Sequence, residues 1–423
     1  MKFCPDFLTT LRVYGFSASG ERSVHPCCGE SSVDYPHFFY EGETFDLSEY
    51  KLFLHNTLRT LQGGTTLCKG CPKLVDVECD IEHVDLNLSF FDISLGLNMG
   101  FCNLQCIYCG QDISMKGHSG LPVLPLLRYI ENNRLIAQGG LITWSGGEPT
   151  LHPEFTAPCD LVRQWGYHQR FLTNALRFSP QIASVLEENT GDIVLSLDCG
   201  TEATYTSVKG INAFPVVMRN IISYRRISCE DSIALKYIFV EINANKKEVD
   251  AFFDLCLDVG INWVSYSCDG YGFRFNSSLI EENIVDSIIY FIQKTESLEF
   301  RCTSQWIPPV IKNKIALRRY AINKKTIRQH KGRFVILWGG GAALEAYKDL
   351  LAELRVSALL VTLPANAETQ PSKYPVMHPD DFFTDDAKYP FFVFCRAMNQ
   401  QLFFKTIAPY RNHLDGKIIW CTL

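Results

Sequence analysis

No run of apolar residues in this 423-residue chain reaches the roughly 20 needed to cross a bilayer as a helix, which argues against a helical membrane protein. The opening Met1-Lys-Phe-Cys-Pro-Asp6 lacks the basic, apolar and small-residue succession of a signal peptide. Basic residues are not in excess either. Forty Lys and Arg against 46 Asp and Glu leave a net charge of −6, which argues against a general nucleic-acid binder. A hydrophobic content of 47% is present, enough for the cores of two or three domains.

Cysteine, by contrast, is abundant, with 17 in the chain. Three lie in the run Phe101-Cys-Asn-Leu-Gln-Cys-Ile-Tyr-Cys-Gly110 with unequal gaps and no fourth thiol beside them. Iron–sulfur cubanes are usually held by four thiolates and structural zinc by four Cys or His ligands, so a trio points to a metal position left open. A zinc knuckle completed from elsewhere is the alternative, although paired C-x2-C units would suit zinc better and this loop has one. Such a loop needs free thiolates, so a reducing, cytoplasmic setting is expected rather than a disulfide framework. Downstream, Gly140-Leu-Ile-Thr-Trp144 reads as a buried strand running into Ser145-Gly-Gly-Glu-Pro149. Two glycines let backbone approach a ligand closely, and proline fixes the exit from the turn.

The C-x3-C-x2-C loop, with Tyr108 before its last cysteine, and the Gly-Gly-Glu-Pro turn one helix and one strand later together resemble the radical S-adenosylmethionine (SAM) superfamily. The resemblance covers roughly residues 90–306, including Leu195-Ser-Leu-Asp-Cys-Gly-Thr201 and Leu235-Lys-Tyr-Ile-Phe-Val240. It implies that Cys102, Cys106 and Cys109 hold a [4Fe-4S] cluster whose fourth iron takes the amine and carboxylate of SAM. It further implies that Tyr108 lies near the adenine and that Gly146, Gly147, Glu148 and Pro149 hold the methionine end, with the glutamate near the ammonium. Thr173, Asn174, Ser196 and Asp198 are implied to line the SAM pocket. One-electron cleavage of SAM to a 5′-deoxyadenosyl radical that abstracts a substrate hydrogen is the implied chemistry.

The rest of the chain is consistent with that resemblance. Leu121 to Ala137 is spaced as a helix, and strands are expected at Tyr167–Thr173, Asp192–Leu197, Ala234–Ile242 and Asn262–Cys268, with a helix at Lys247–Val259. Repeated β–α units imply an α/β fold, a partial (β/α)6 radical SAM barrel over residues 90–310 with function at the carboxyl ends of its strands. Residues 1–89 form a cysteine-rich region. Cys28, Cys68, Cys71 and Cys79, with Cys27 as the alternative first ligand, suit a second [4Fe-4S] cluster, a zinc ion, or unligated thiols. Residues 311–333 read as a basic linker helix, nine Lys or Arg and no acid between Lys312 and Arg333. Residues 334–423 resemble a small Rossmann-like α/β domain, with strand Phe334–Trp338 leading into Gly339-Gly-Gly-Ala-Ala-Leu344.

By the same resemblance, a Rossmann-like tail on such a barrel suggests a small-molecule, carbohydrate-type substrate such as a polysaccharide precursor, epimerised or oxidised. Modification of a ribosomal peptide is the second expectation. No cobalamin-type region is present, so methylation through B12 is not expected. An electron donor such as flavodoxin or ferredoxin is implied. Cys199 and Cys268 each follow an expected strand, so one could return a hydrogen atom to a substrate radical; the bland reading is a small buried residue. In a different class, the clusters would serve electron transfer or redox sensing.

Overall fold

The computed structural model describes residues 2–4, 6–15, 22–26, 36–62, 75–76, 86–97, 101–109, 121–229, 231–269, 282–305, 307–329, 334–338, 349, 352, 355–360, 376–377, 392–394, 408–413 and 418–420. Two compact units divide the chain, one made of Met1–Phe291 and Cys302–Pro309, the other of Ile292–Arg301 and Val310–Leu423.

In the first unit the strands are β1 (Lys2–Phe3), β2 (Thr10–Gly15), β3 (Arg22–His25), β4 (Phe38–Tyr40), β5 (Val75–Asp76), β6 (Phe90–Gly96), β7 (Ile136–Ser145), β8 (His168–Thr173), β9 (Gly191–Ser196), β10 (Ile233–Phe239), β11 (Trp263–Cys268) and β12 (Arg301–Ser304), the last beginning at the edge of the second unit. Ten of them form one sheet in the order β12-β11-β10-β9-β8-β7-β6-β2-β3-β4, while β1 and β5 make a separate antiparallel pair. Neighbours from β6 to β11 run parallel, and helices such as Thr156–Trp165, Pro180–Glu187 and Lys246–Val259 follow successive strands. This is an open α/β sheet in the strand order of a partial barrel. The boundary expected at residue 89 does not divide it. β2 pairs in parallel with β6 from Thr10↔Asp92 to Tyr14↔Gly96, so the N-terminal strands widen the same sheet.

Side chains alternate across this sheet, and the two faces differ. Trp144, Phe171, Leu195, Leu235 and Tyr237 are buried against helices; Tyr237 stacks edge-on to Phe252 at 5.0 Å. Their neighbours Ser145, Leu172, Ser196, Lys236 and Ile238 retain accessible surface on the opposite, inner face. Deep on that face Arg170 makes a fork with Asp192, Nε–Oδ1 2.6 Å and Nη2–Oδ2 2.8 Å. Above it Val194, Ala234 and Trp263 form an apolar layer, with Leu172 against it.

The helix expected over Leu121–Ala137 is shorter, Val123–Asn132. Arg134 turns the chain with φ +53, and Ile136 already belongs to β7. The strand expected at Gly140–Trp144 begins four residues earlier, the other expected strands lie within three residues of their observed limits, and the basic helix occupies Pro309–Gln329.

In the second unit, β13 (Phe334–Trp338), β14 (Arg355–Leu360), β15 (Val376–Met377), β16 (Phe392–Phe394) and β17 (Ile418–Trp420) form a parallel sheet ordered β15-β14-β13-β16-β17. The chain starts at the centre, steps outward to one side and returns to the other, the Rossmann pattern of winding. The segment Gly339–Leu344 lies outside the described residues, as do Cys27, Cys28, Cys68, Cys71 and Cys79. Among the described residues no helix is long and apolar enough to cross a membrane.

Candidate active site

The cysteine loop, the Gly-Gly-Glu-Pro turn and the ends of β8, β9 and β10 meet at the carboxyl side of the sheet. Backbone bonds fix the loop. Glu148 N donates to Phe101 O at 3.0 Å, Gln105 N to Lys209 O and Ile107 N to Val208 O at 3.0 Å each, and Cys109 N to Cys106 O at 3.0 Å. The loop is thereby tied both to the turn after β7 and to the end of the helix Glu202–Lys209. Gly210, left-handed at φ +75, ends that helix, and a Cβ there would come within 2.9 Å of Gln105 O.

Cys102 and Cys106 are partly exposed and Cys109 is exposed, all three as free thiols. Burial pushes the Cys102 thiol up to about 11. It pushes Cys106 up as well, against the opposing charge of Lys209. A bound metal would compensate that cost by holding them as thiolates. Among the described residues no three Cys, His, Asp or Glu side chains converge on a single ion. Three loop thiols without a fourth protein ligand fit a cubane that keeps one iron open, better than one zinc ion.

Glu148 is 1% exposed, and its carboxylate is turned into the protein. Oε1 accepts from Thr150 N at 3.2 Å, Thr150 Oγ1 at 2.6 Å and Thr173 Oγ1 at 2.7 Å, and Oε2 from Asn174 N at 2.9 Å. Burial raises its pKa and these donors oppose the rise. The side chain therefore clamps the turn to the end of β8 and caps the short helix Pro149–Leu151. Gly146 and Gly147 take positive φ, +79 and +60. A Cβ on Gly146 would stand 2.7 Å from Gly96 Cα, so Gly146→Ala should strain the backbone and part the turn from β6. The expected cost is about 1–3 kcal/mol by urea denaturation, with weaker SAM binding by calorimetry; an unchanged midpoint would contradict the close approach.

Asn174 donates to Asn103 Oδ1 at 2.7 Å and to Cys102 Sγ at 3.6 Å, which joins the end of β8 to the first thiol. Across the site, Tyr108 donates to Asp198 Oδ2 at 2.5 Å, and the Lys209 ammonium donates to both the Tyr108 oxygen, at 2.8 Å, and Asp198. Lys209 and Asp198 are 1% and 0% exposed in their side chains. Burial disfavours the Lys209 ammonium, but Asp198 together with Cys106 and Cys199 outweighs it and the net shift is upward. Asp198, at φ +60, also accepts from Ile238 N at 2.8 Å, and Asn243 Nδ2 donates to its carbonyl at 2.9 Å. Ser196 stands half-exposed on the inner face, the sheet neighbour of Lys236.

Cys199 and Cys268 are both buried. They are 0% and 3% exposed, and burial raises both thiols. Cys268 is the sheet partner of Phe239, whose ring meets Phe291 at 5.6 Å on the helix-covered side. Lys209, Asn103 and Thr150 were not picked out from the sequence. The signal for Lys209 was present, because Tyr205 and Lys209 are four apart on the buried side of one helix.

A parallel α/β sheet offering three loop thiols beside a glycine cradle at its carboxyl strand ends defines a cluster-binding α/β enzyme. Residues 99–256 match the family model of the Radical SAM superfamily, so this stretch is a radical SAM domain. Over 160 residues it is 24% identical to mycofactocin maturase MftC of Mycobacterium tuberculosis, covering 38% of this chain and 40% of that protein. Over 169 residues it is 27% identical to GTP 3′,8-cyclase of Photorhabdus laumondii, covering 38% and 48%. It thus spans less than half the length of these curated relatives. Streptococcus suis SuiB bound to precursor peptide SuiA is a similar solved structure, at 11% identity, 72% and 73% coverage and a TM-score of 0.42.

Proposed function

We propose that this enzyme reductively cleaves SAM and abstracts a hydrogen atom from a small, carbohydrate-type substrate held against the inner face of the sheet. The observation that carries the reading is the bond from Glu148 N to Phe101 O, which joins the three-thiol loop to the glycine cradle as one body. A [4Fe-4S] cluster held by Cys102, Cys106 and Cys109 would supply one electron to SAM, received from a donor of the flavodoxin or ferredoxin type.

The chain's own groups do the positioning. Glu148, Thr150 and Thr173 hold the cradle's shape, leaving the backbone of Gly146 and Gly147 to face the methionine end. Asn174 steadies the first thiol through its amide. Tyr108, tied to Asp198 and Lys209, is held beside the loop where the adenine would lie. The N-terminal cysteines would hold a second cluster. A peptide substrate is the second reading, favoured by the maturase among the relatives.

The substrate class is tested by where the abstracted hydrogen goes. Reconstituted protein is incubated anaerobically with SAM, dithionite and either perdeuterated sugar nucleotides or perdeuterated peptides. Deuterium in 5′-deoxyadenosine from the sugar pool is expected. Label from the peptide pool alone would replace the first reading with the second, and label-free product with both would reject the two.

A further inference from the structure

On the inner face, Ser196, Lys236 and Ser265 occupy one row across β9, β10 and β11, because Lys236 pairs in register with both serines. Paired residues in a sheet point to the same side. Lys236 stands directly above the apolar layer of Val194, Ala234 and Trp263, and below the level of Asp198, whose carboxylate is bonded two residues further along β10 at Ile238 N. The Asp192 carboxylate lies on the far side of the apolar layer and is engaged by Arg170 and His168. The Asp198 carboxylate is engaged by Lys209 and Tyr108.

Lys236 makes one hydrogen bond among the described residues, from Nζ to Gln305 Oε1 at 3.3 Å, and no ion pair. The Ser265 hydroxyl beside it is buried and has no hydrogen-bond partner among the described residues. Burial and the charge of Lys209 disfavour the Lys236 ammonium, and Asp198 favours it; the net shift is downward. A largely enclosed ammonium that makes no ion pair among the described residues is costly unless something supplies a closer counter-charge. The lysine keeps part of its surface accessible.

We propose that Lys236, flanked by Ser196, Ser265 and Gln305, is the binding site for an anionic group of the substrate, a carboxylate or a phosphate. The ammonium supplies the charge, while the flanking hydroxyls and the Gln305 amide orient the anion's oxygens. This rests on reading the inner face as the substrate space. The carboxylate of SAM is the competing anion, and the lysine's place one layer below Asp198 sets it apart from the loop and cradle.

The test reads anion binding on cluster-reconstituted, SAM-loaded protein without reduction, using inorganic phosphate, acetate and neutral methyl glucoside as probes in ligand-detected NMR. Phosphate or acetate should bind in preference to the glucoside, and Lys236→Gln should weaken that anion by about tenfold or more while Lys236→Arg keeps most of the affinity. Whichever anion responds identifies the substrate group. No anion binding, equal binding by Lys236→Gln, or loss in Lys236→Arg with native thermal stability would overturn the proposal. A comparable loss of SAM affinity in Lys236→Gln would give the lysine to SAM's carboxylate and overturn it too. Because no SAM turnover is read, failure here and failure of the cleavage chemistry are separate results.

Discussion

Complete loss of 5′-deoxyadenosine formation is the expected result of replacing Cys102, Cys106 and Cys109 together by Ala. No thiolate would then remain in the loop to present an open iron. The fold should survive, because the loop is held by backbone bonds at Phe101, Gln105, Ile107 and Cys109, none of which uses a thiol. The three side chains are partly or fully exposed, so stability should change by about 1 kcal/mol or less. Iron content separates the two cluster assignments. About four irons per chain in this variant would support a second cubane on the N-terminal cysteines, whereas iron-free protein would reject it. Undiminished 5′-deoxyadenosine would remove the loop from the chemistry altogether.

The largest stability effect is expected from Lys209→Met. Removing the ammonium leaves the Asp198 carboxylate at 0% exposure with Tyr108 and Ile238 N as donors but without its ion-pair partner. Breaking a buried pair from one side typically costs about 3–5 kcal/mol, while replacing both partners costs much less. Urea denaturation at neutral pH should show the single variant destabilised by that amount, with Asp198→Asn added to it restoring a large part. The same variant should lower SAM affinity, since Tyr108 loses a donor and the loop is bonded to the Lys209 carbonyl. A single-variant cost below about 1 kcal/mol would show that the Tyr108 and backbone donors suffice for Asp198.

What could be read from the sequence was what short stretches of chain decide. The cysteine spacing, the Gly-Gly-Glu-Pro turn after a buried strand, and the strands ending at Thr173, Ser196 and Cys268 are local patterns, and the structure gathers their ends on one side of the sheet. Alternation alone goes no further. The face of Cys268 follows only once the register pairs Ser265 with Lys236, since Cys268 lies three residues from Ser265 on the same strand.

Long-range pairing was not legible. β2 joins β6 across roughly eighty intervening residues, and the sequence of β2 carries no signal of its partner, so the N-terminal region looked separate. The roles of Glu148 and Lys209 were hidden for a related reason. Each depends on donors or charges contributed by another element, Thr173 and Asn174 for one, Tyr108 and Asp198 for the other.

The central claim is that this loop and cradle cleave SAM by one electron. The most direct measurement is anaerobic incubation of cluster-reconstituted protein with SAM and dithionite, with methionine and 5′-deoxyadenosine quantified together. The two should appear in equal amounts and depend on dithionite. A sample replete in the loop cluster and shown to bind SAM, yet forming neither product, would contradict the account and leave an iron–sulfur electron carrier or redox sensor in its place.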